Sequence, residues 1–407
     1  MSTREMSPPL SVHTARRWRS ALTVCFSLLL STVAMTGAIG QGLAAQGGEV
    51  TATASHVKRE GGRVWIEGVP TLGWGKGREC TFLGALEAAT AVTDHPYQYS
   101  DLMGWSGMAF RVRWFAPEGS PRWCPSSPVG EMEEEIGAVA KATGWPLRFE
   151  FVEKSDPAKL RSVTADIVAS VGAGRPVLAY EPKLNMDVVF GYEDDGKTLL
   201  LRDYFKPETP LRLGPSELGF LTISLGDFGA AMSRREAMVE GLRTAVRNWH
   251  RERFSEGPGE YWYGDAALAR WLSDLRRFDD YSQEERNSLC SVGWWNYVSL
   301  VDARHAAVAF LRENVSLLPE GAAGPLARAA GLYEQEAELL GAALAKRDVF
   351  TGSPEGWSKD RQERECKLLA QARSLESSAI TQVEAALSAA GAAATPKQMG
   401  ILEAGTT

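Results

Sequence analysis

Cys80 is the residue of this chain best placed for nucleophilic chemistry. It follows the glycine-rich run Gly73-Trp74-Gly75-Lys76-Gly77-Arg78-Glu79. It opens a segment, Thr81 to Val92, whose Phe82, Leu86 and Ala89 share one helical side. A thiol at the start of a helix meets the positive end of the helix dipole. With Lys76 and Arg78 close in sequence, the spacing predicts a stabilised thiolate. The thiolate is the form in which cysteine attacks a carbonyl carbon. The other reading of the same position is a half-buried thiol or one half of a disulfide.

The remaining chemistry-bearing residues are sparse. The chain holds 5 His, and no two cysteines have Cys-x-x-Cys spacing, so neither a metal site nor a cofactor is expected. Cys124, in Trp123-Cys124-Pro125-Ser126, is a candidate disulfide partner for Cys80, and Cys290 and Cys366 could join two helices. With Cys25 set aside as part of the export signal described below, the other four of the five cysteines allow three pairings, and the sequence leaves them open. Ser106 lies in Gly104-Trp105-Ser106-Gly107, but Met108 breaks the Gly-x-Ser-x-Gly pattern of a nucleophile elbow. Ser106-Gly107 is therefore read as a tight turn shaping a cleft wall, with Trp74 and Trp105 as further cleft residues. Of the histidines, His95 sits in a surface turn, His250 on a basic helix face and His305 on an apolar stripe, where it reads as a core residue. The acidic run Glu131, Glu133, Glu134 and Glu135 suits a helix start, not catalysis.

The elements that would hold Cys80 fall into two groups. Arg63 to Val69 reads as a short strand, Glu131 to Thr143 as a helix stopped by Gly144, and Asp166 to Val171 as the end of another. Strands follow at Pro176–Tyr180, Asp187–Tyr192, Thr198–Asp203 and Phe220–Leu225, with an Asp-Gly hairpin turn at Asp195-Gly196. Residues 61–228 thus read as an α+β domain. From 231 the period changes to three and four. Stripes run through Val298, Val301, His305 and Leu311, then Leu326, Tyr333 and Leu340, then Leu368, Leu375 and Val383. Residues 231–390 accordingly read as an all-α helical domain, and 391–407 as a flexible tail.

Ahead of both lies an export signal over residues 1–45. Arg16, Arg17 and Arg19 form its basic end, Leu22 to Leu30 its apolar centre, and Gly42-Leu43-Ala44 a small-residue exit. Residues 46–60 make a linker. Cleavage would place the protein in the periplasm or outside the cell; retention would anchor it in the membrane. The full chain has 44 basic and 51 acidic side chains, a formal charge of −7, and loss of the leader takes this to −10. That balance argues against nucleic acid and anionic membrane surfaces as partners. With 13 Trp, 10 Tyr and 14 Phe, the chain has large rings to bury or to line a cleft.

The order Cys80 on a helix, strand Pro176–Tyr180, then the hairpin Val188 to Gly196 resembles the papain-like cysteine-hydrolase fold. More narrowly, Cys80-Thr81-Phe82-Leu83-Gly84-Ala85-Leu86, Tyr99-Ser100-Asp101-Leu102-Met103-Gly104-Trp105-Ser106-Gly107-Met108-Ala109-Phe110-Arg111 and Gly174-Arg175-Pro176-Val177 resemble the N-terminal domain of the butirosin-biosynthesis protein H family. The resemblance covers about residues 61–228, and Gly-x-Ser-Gly-x-Ala-Phe is its most specific part. It implies a papain-like α+β domain with an all-α helical domain behind it, and an acyl transfer from a carrier protein to an amine. It also implies a base at Asp187, where papain-like folds carry His, and an orienting acid near Asp203. An aspartate beside a thiolate raises the thiol pKa and is a weak base. Carrier-protein donors work in the cytosol, so an exported chain points to a small amide or peptide-like ligand. Three functions follow: acyl transfer or amide hydrolysis through Cys80, an inactive binding module, or a disulfide-held structural protein.

Overall fold

The structure is a computed structural model, and it describes residues 56–115, 132–183, 185–256, 259–346, 354 and 356–392. The leader, Cys124 and the tail from 393 lie outside the described residues. An antiparallel sheet takes up the first half. Strands β1 (Val57–Glu60), β2 (Arg63–Ile66), β4 (Leu147–Phe151), β5 (Val177–Tyr180), β6 (Met186–Glu193) and β9 (Leu221–Leu225) lie in the order β1-β2-β6-β5-β9-β4. β7 (Thr198–Arg202) pairs the other edge of β6 and carries β8 (Leu211–Leu213).

β6 organises this sheet because one of its edges serves two partners. Met186 to Val189 pair with β5, and Gly191 to Glu193 pair with β2. The register shifts between Val189 and Gly191 at a bulge. Gly191 is required there, since a Cβ would lie 2.9 Å from the Val64 carbonyl oxygen. The β6–β7 hairpin turns through Asp194, Asp195 and Gly196, all at positive φ, as the Asp-Gly pair predicts. Helices α1 (Thr81–Thr90) and α4 (Pro157–Gly172) pack on β6. α4 begins with Asp156 accepting from the N–H groups of Ala158 and Lys159, followed by Pro157 in its first turn.

Between them stand α2 (Tyr99–Trp105) and, after a π-helical turn at Met132–Ile136, α3 (Gly137–Thr143), which ends at Gly144 in the left-handed region. The second half contains α5 (Arg234–His250), α6 (Gly264–Arg276), α7 (Gln283–Asn314), α8 (Glu320–Ala345) and α9 (Lys359–Ala389). Capping boxes start two of them, Ser233 with Glu236 and Ser282 with Glu285. Among the described residues no helix is long and apolar enough to cross a membrane.

The second half is helical but not wholly so. β10 (Arg253–Glu256) and β11 (Gly259–Tyr263) form a hairpin, and β11 pairs with β3 (Arg113–Phe115) of the first half. Pairing of Glu256 with Gly259 makes this a hairpin within a stretch that the sequence reads as all-helical. The small sheet is fixed by Trp114, stacked on Trp271 at 4.6 Å and donating from Nε1 to Asp274. One hydrophobic core runs through both halves.

α7 crosses that junction. Phe310 packs on Gly104 so closely that a Cβ there would collide with its ring, and Asn314 donates to Asp101 at 3.0 Å. Arg304, fully buried, donates to the Ala109 carbonyl at 2.8 Å and to Glu336 of α8 and Glu376 of α9. Two carboxyls around one guanidinium leave an excess negative charge. Burial and the neighbouring Glu376 hold Glu336 well above the ordinary carboxyl range, so it keeps its proton. Arg304→Met is therefore expected to destabilise the protein by about 3–5 kcal/mol, since buried acids lose their shared cation. Glu336→Gln, which preserves shape and hydrogen bonding, is expected to change stability by about 1 kcal/mol or less. Urea unfolding followed by circular dichroism measures both, and equal losses would refute the charge argument.

Candidate functional site

Cys80 stands where its sequence placed it, as the N-cap residue of α1, with extended backbone and no side-chain capping bond of its own. The first turn of α1 is gripped from the sheet side. Met186 at the start of β6 donates its N–H to Thr81 Oγ1 at 3.1 Å. The Tyr204 hydroxyl lies over the same turn, 3.4 Å from the Thr81 carbonyl, and Gly84 is the residue that leaves room for it.

The end of α1 is capped from elsewhere in the chain. The Cys80 N–H donates to Tyr99 Oη at 3.1 Å, and that hydroxyl donates to Asp302 Oδ2 at 2.6 Å. Burial raises the Asp302 carboxyl above its ordinary range, opposed by the Tyr99 hydroxyl and by the Glu79 and Cys80 N–H groups. Thus α7 delivers a buried carboxylate to the positive end of α1. Neither Tyr99 nor Asp302 stands out as a site residue in the sequence. A signal for Asp302 exists: an acid set beside Val301 in an otherwise apolar stripe.

This arrangement reverses the expectation of a stabilised thiolate. Burial pushes the Cys80 thiol up to about 12, and Asp302 and Glu135 add to the rise, while the Leu83 N–H and Arg111 oppose it. The cations expected to help are committed or remote. Arg78 makes a two-pronged bond to Glu87 at 2.7 and 3.1 Å, Lys76 is exposed, and Arg111 is paired with buried Glu135 at 2.9 Å. Around the thiol, Met103, Met108, Arg111, Asn296, Leu300 and Ala303 enclose a space of about 20 Å³. That holds about one water molecule.

Asp187 and Asp203 are brought to the same place, since continuing the β6–β7 register sets them opposite one another. Asp187 is fully buried, with no side-chain partner and only the Tyr204 N–H favouring its charged form. Burial, with Glu181 and Asp203 nearby, raises it to about 9, so it is a neutral acid at pH 7. Asp203 instead closes a turn, accepting from the N–H groups of Phe205 and Lys206.

Other expected residues lie apart from the thiol. Trp105, Ser106 and Gly107 are interior, not on a cleft wall. Ser106 Oγ donates to the Met103 carbonyl, and Gly107 fits against Thr244 of α5. Trp74 is half-buried between Tyr204 and Trp295. Cys80, Cys290 and Cys366 are free thiols, and the proposed partner Cys124 lies outside the described residues. His95 stacks on Phe228 at 3.6 Å, and His250 pairs with Glu384 at 2.7 Å. His305 is exposed, not in the core, because it lines an open cleft with Val298 and Val301, while Leu311 of the same stripe is buried. None of the described histidines hydrogen-bonds to the thiol of Cys80.

That cleft, about 470 Å³, lies between the Gly75–Glu79 loop, the start of α2 and the outer side of α7. Glu79 projects to it, raised to about 7 by burial and by Asp302. Among the described residues no three or more His, Cys, Asp or Glu side chains are set to hold a metal ion. No protein-family model matches the chain, and no curated protein matches it.

Asp187 has a measurable signature. Its folded pKa of about 9 exceeds the ordinary value of about 3.9, so the folded state holds an extra proton between them. Its contribution is fully present below about pH 4 and is lost as pH rises to about 9, at no more than about 1.4 kcal/mol per pH unit. Asp187→Asn is expected to remove that slope and to gain on the wild type as pH rises. Chemical denaturation from pH 5 to 9 tests this, and parallel stability curves would contradict it.

Proposed function

We propose that this chain is an exported, non-catalytic binding module built on a papain-like α+β plan of the butirosin-biosynthesis protein H type, with a helical domain behind it. The observation that carries the reading is the engagement of the Cys80 N–H by Tyr99, backed by Asp302. In acyl transfer through a cysteine at a helix start, the N–H groups there serve the developing oxyanion. Here that donor is already taken up by the Tyr99 hydroxyl, itself held by the buried Asp302 carboxyl, so it is not free for a developing oxyanion. Three further observations agree. The thiol is held protonated, its cavity admits no acyl group, and the position expected to carry the base holds a neutral, buried acid.

The ligand is small and amide- or peptide-like, taken up in a cleft instead of at the thiol. The opposing reading, a cysteine acyltransferase or amide hydrolase using Cys80 with Asp187 and Asp203, draws on the place of Cys80 at the N-cap of α1. It requires α7 to withdraw Asp302 and open the thiol.

Thiol labelling separates the two. With iodoacetamide on the native protein and peptide mapping by mass spectrometry, half-exposed Cys366 is expected to label ahead of Cys80. Cys80 is expected to show no inflection below about pH 10. Fast labelling of Cys80 with an inflection below pH 8 would overturn the proposal and justify a substrate search.

A further inference from the structure

The cleft beside Glu79 has one apolar wall and one acidic corner. Val298, Val301, Ala306 and Ala309 of α7, with Leu344 near the end of α8, form the wall. Its polar lining comes from Arg78, Glu79, Gln98, Tyr99, Ser100, Asp302 and His305. Most of these groups are already used. Arg78 is held by both oxygens of Glu87, Tyr99 Oη is bonded to Asp302, and Ser100 Oγ to Glu313. Glu79 accepts only the Gly75 N–H, at 2.7 Å, and no basic side chain pairs with it or with Asp302 among the described residues.

We infer that this cleft binds an organic cation carrying an apolar body, its charge set against Glu79 and Asp302 and its body along the Val298–Leu344 wall. The inference deepens the binding-module reading and rests on it. A cation is favoured over an anion because the guanidinium of Arg78 is held by Glu87 and, beyond it, by Asp302, while Glu79 has no basic side chain paired with it among the described residues. An apolar body is favoured because the wall from Val298 to Leu344 is aliphatic. The site adjoins the Cys80 cavity but does not include the thiol.

Binding should be linked to pH through Glu79. The charged and titratable groups around it are Asp302 and His305 of α7, Tyr99 of α2, Tyr204 after β7, Glu87 and Cys80 of α1, and Arg78 and Lys76 of its own loop. Burial and Asp302 hold Glu79 near pH 7, where an incoming cation would favour the carboxylate. A permanently charged ligand isolates this effect, because it does not titrate itself.

The test is isothermal titration calorimetry of the full chain with hexyltrimethylammonium from pH 5.5 to 8.5, beside hexanol and hexanoate. The cation is expected to bind best, with affinity rising about tenfold per pH unit below 7 and levelling above 8. Glu79→Gln, which leaves shape intact, is expected to lower affinity at least tenfold at pH 8 and flatten the profile. Val301→Trp, filling the wall, is expected to abolish binding, with circular dichroism confirming that both variants fold. Equal binding of hexanol, preference for hexanoate, or an unchanged pH profile in Glu79→Gln would overturn the inference. Iodoacetamide labelling of Cys80 on the same sample keeps the two claims apart. A silent thiol with no cation binding defeats only the cleft assignment, and a reactive thiol defeats the binding-module reading.

Discussion

Asp302 and Arg304, two residues apart on α7, are both buried and both bound to the first half of the chain. Neighbours at that spacing point in different directions from a helix. One reaches the start of α1 through Tyr99, and the other reaches the Ala109 carbonyl while holding Glu336 and Glu376. Buried charges are tolerated only where their partners are in place. A slip of α7 by one turn, about 5.4 Å, would strand an acid and a guanidinium together in the core. Apolar packing alone would tolerate several positions of a helix; these two groups permit one. Phe310 against Gly104 and Asn314 against Asp101 extend the same registration along the helix.

That registration sets the electrostatics of Cys80. A helix N-terminus offers unpaired N–H groups and a partial positive charge, and both are commonly met by an anion. Asp302 meets them from another element 222 positions along the chain. The group that completes the helix end therefore also cancels the feature that would have lowered the thiol pKa. Acids dominate the rest of the neighbourhood. Glu79, Glu135 and Asp302 all lie near the thiol, and the one nearby guanidinium, on Arg111, is shared with Glu135. A cysteine in such surroundings behaves as a small apolar side chain.

Local elements were legible in the sequence because their signals are local. The Thr81 helix, the strands at 177–180, 186–193 and 198–202, the Asp-Gly hairpin and the three long stripes of the second half all appear close to their expected bounds. Short or interrupted elements were not. β10 and β11 flank Gly-Pro-Gly, which reads equally as a helix break, and their pairing with β3 joins residues about 150 positions apart. α2 is one of the segments quoted for the family resemblance, and its Tyr99 acts through a contact with residue 302. The site itself was half legible. Cys80, Asp187 and Asp203 could be picked by type and order, but the thiolate prediction failed because burial and long-range partners decide a pKa, and neither has a sequence period. His305 shows the converse. Its apolar stripe was real, but Val298 and Val301 face a cleft while Leu311 enters the core, and periodicity cannot tell a wall from a core.

The closed thiol and the open cleft are two consequences of one helix. On α7, Asn296, Ser299, Leu300 and Ala303 close the space around Cys80, while Val298, Val301, His305 and Ala309 face the cleft. Both sets step by three and four, so they are adjacent stripes, and Asp302 sits on the boundary between them. Moving α7 outward to free the thiol would remove the cleft wall and pull Asp302 away from Tyr99. Moving it inward would close the cleft. The two sites therefore exclude each other: a position of α7 that keeps a ligand-sized cleft also keeps the thiol buried. In this geometry the open cleft lies on the flank of α7, and Cys80 packs beneath it.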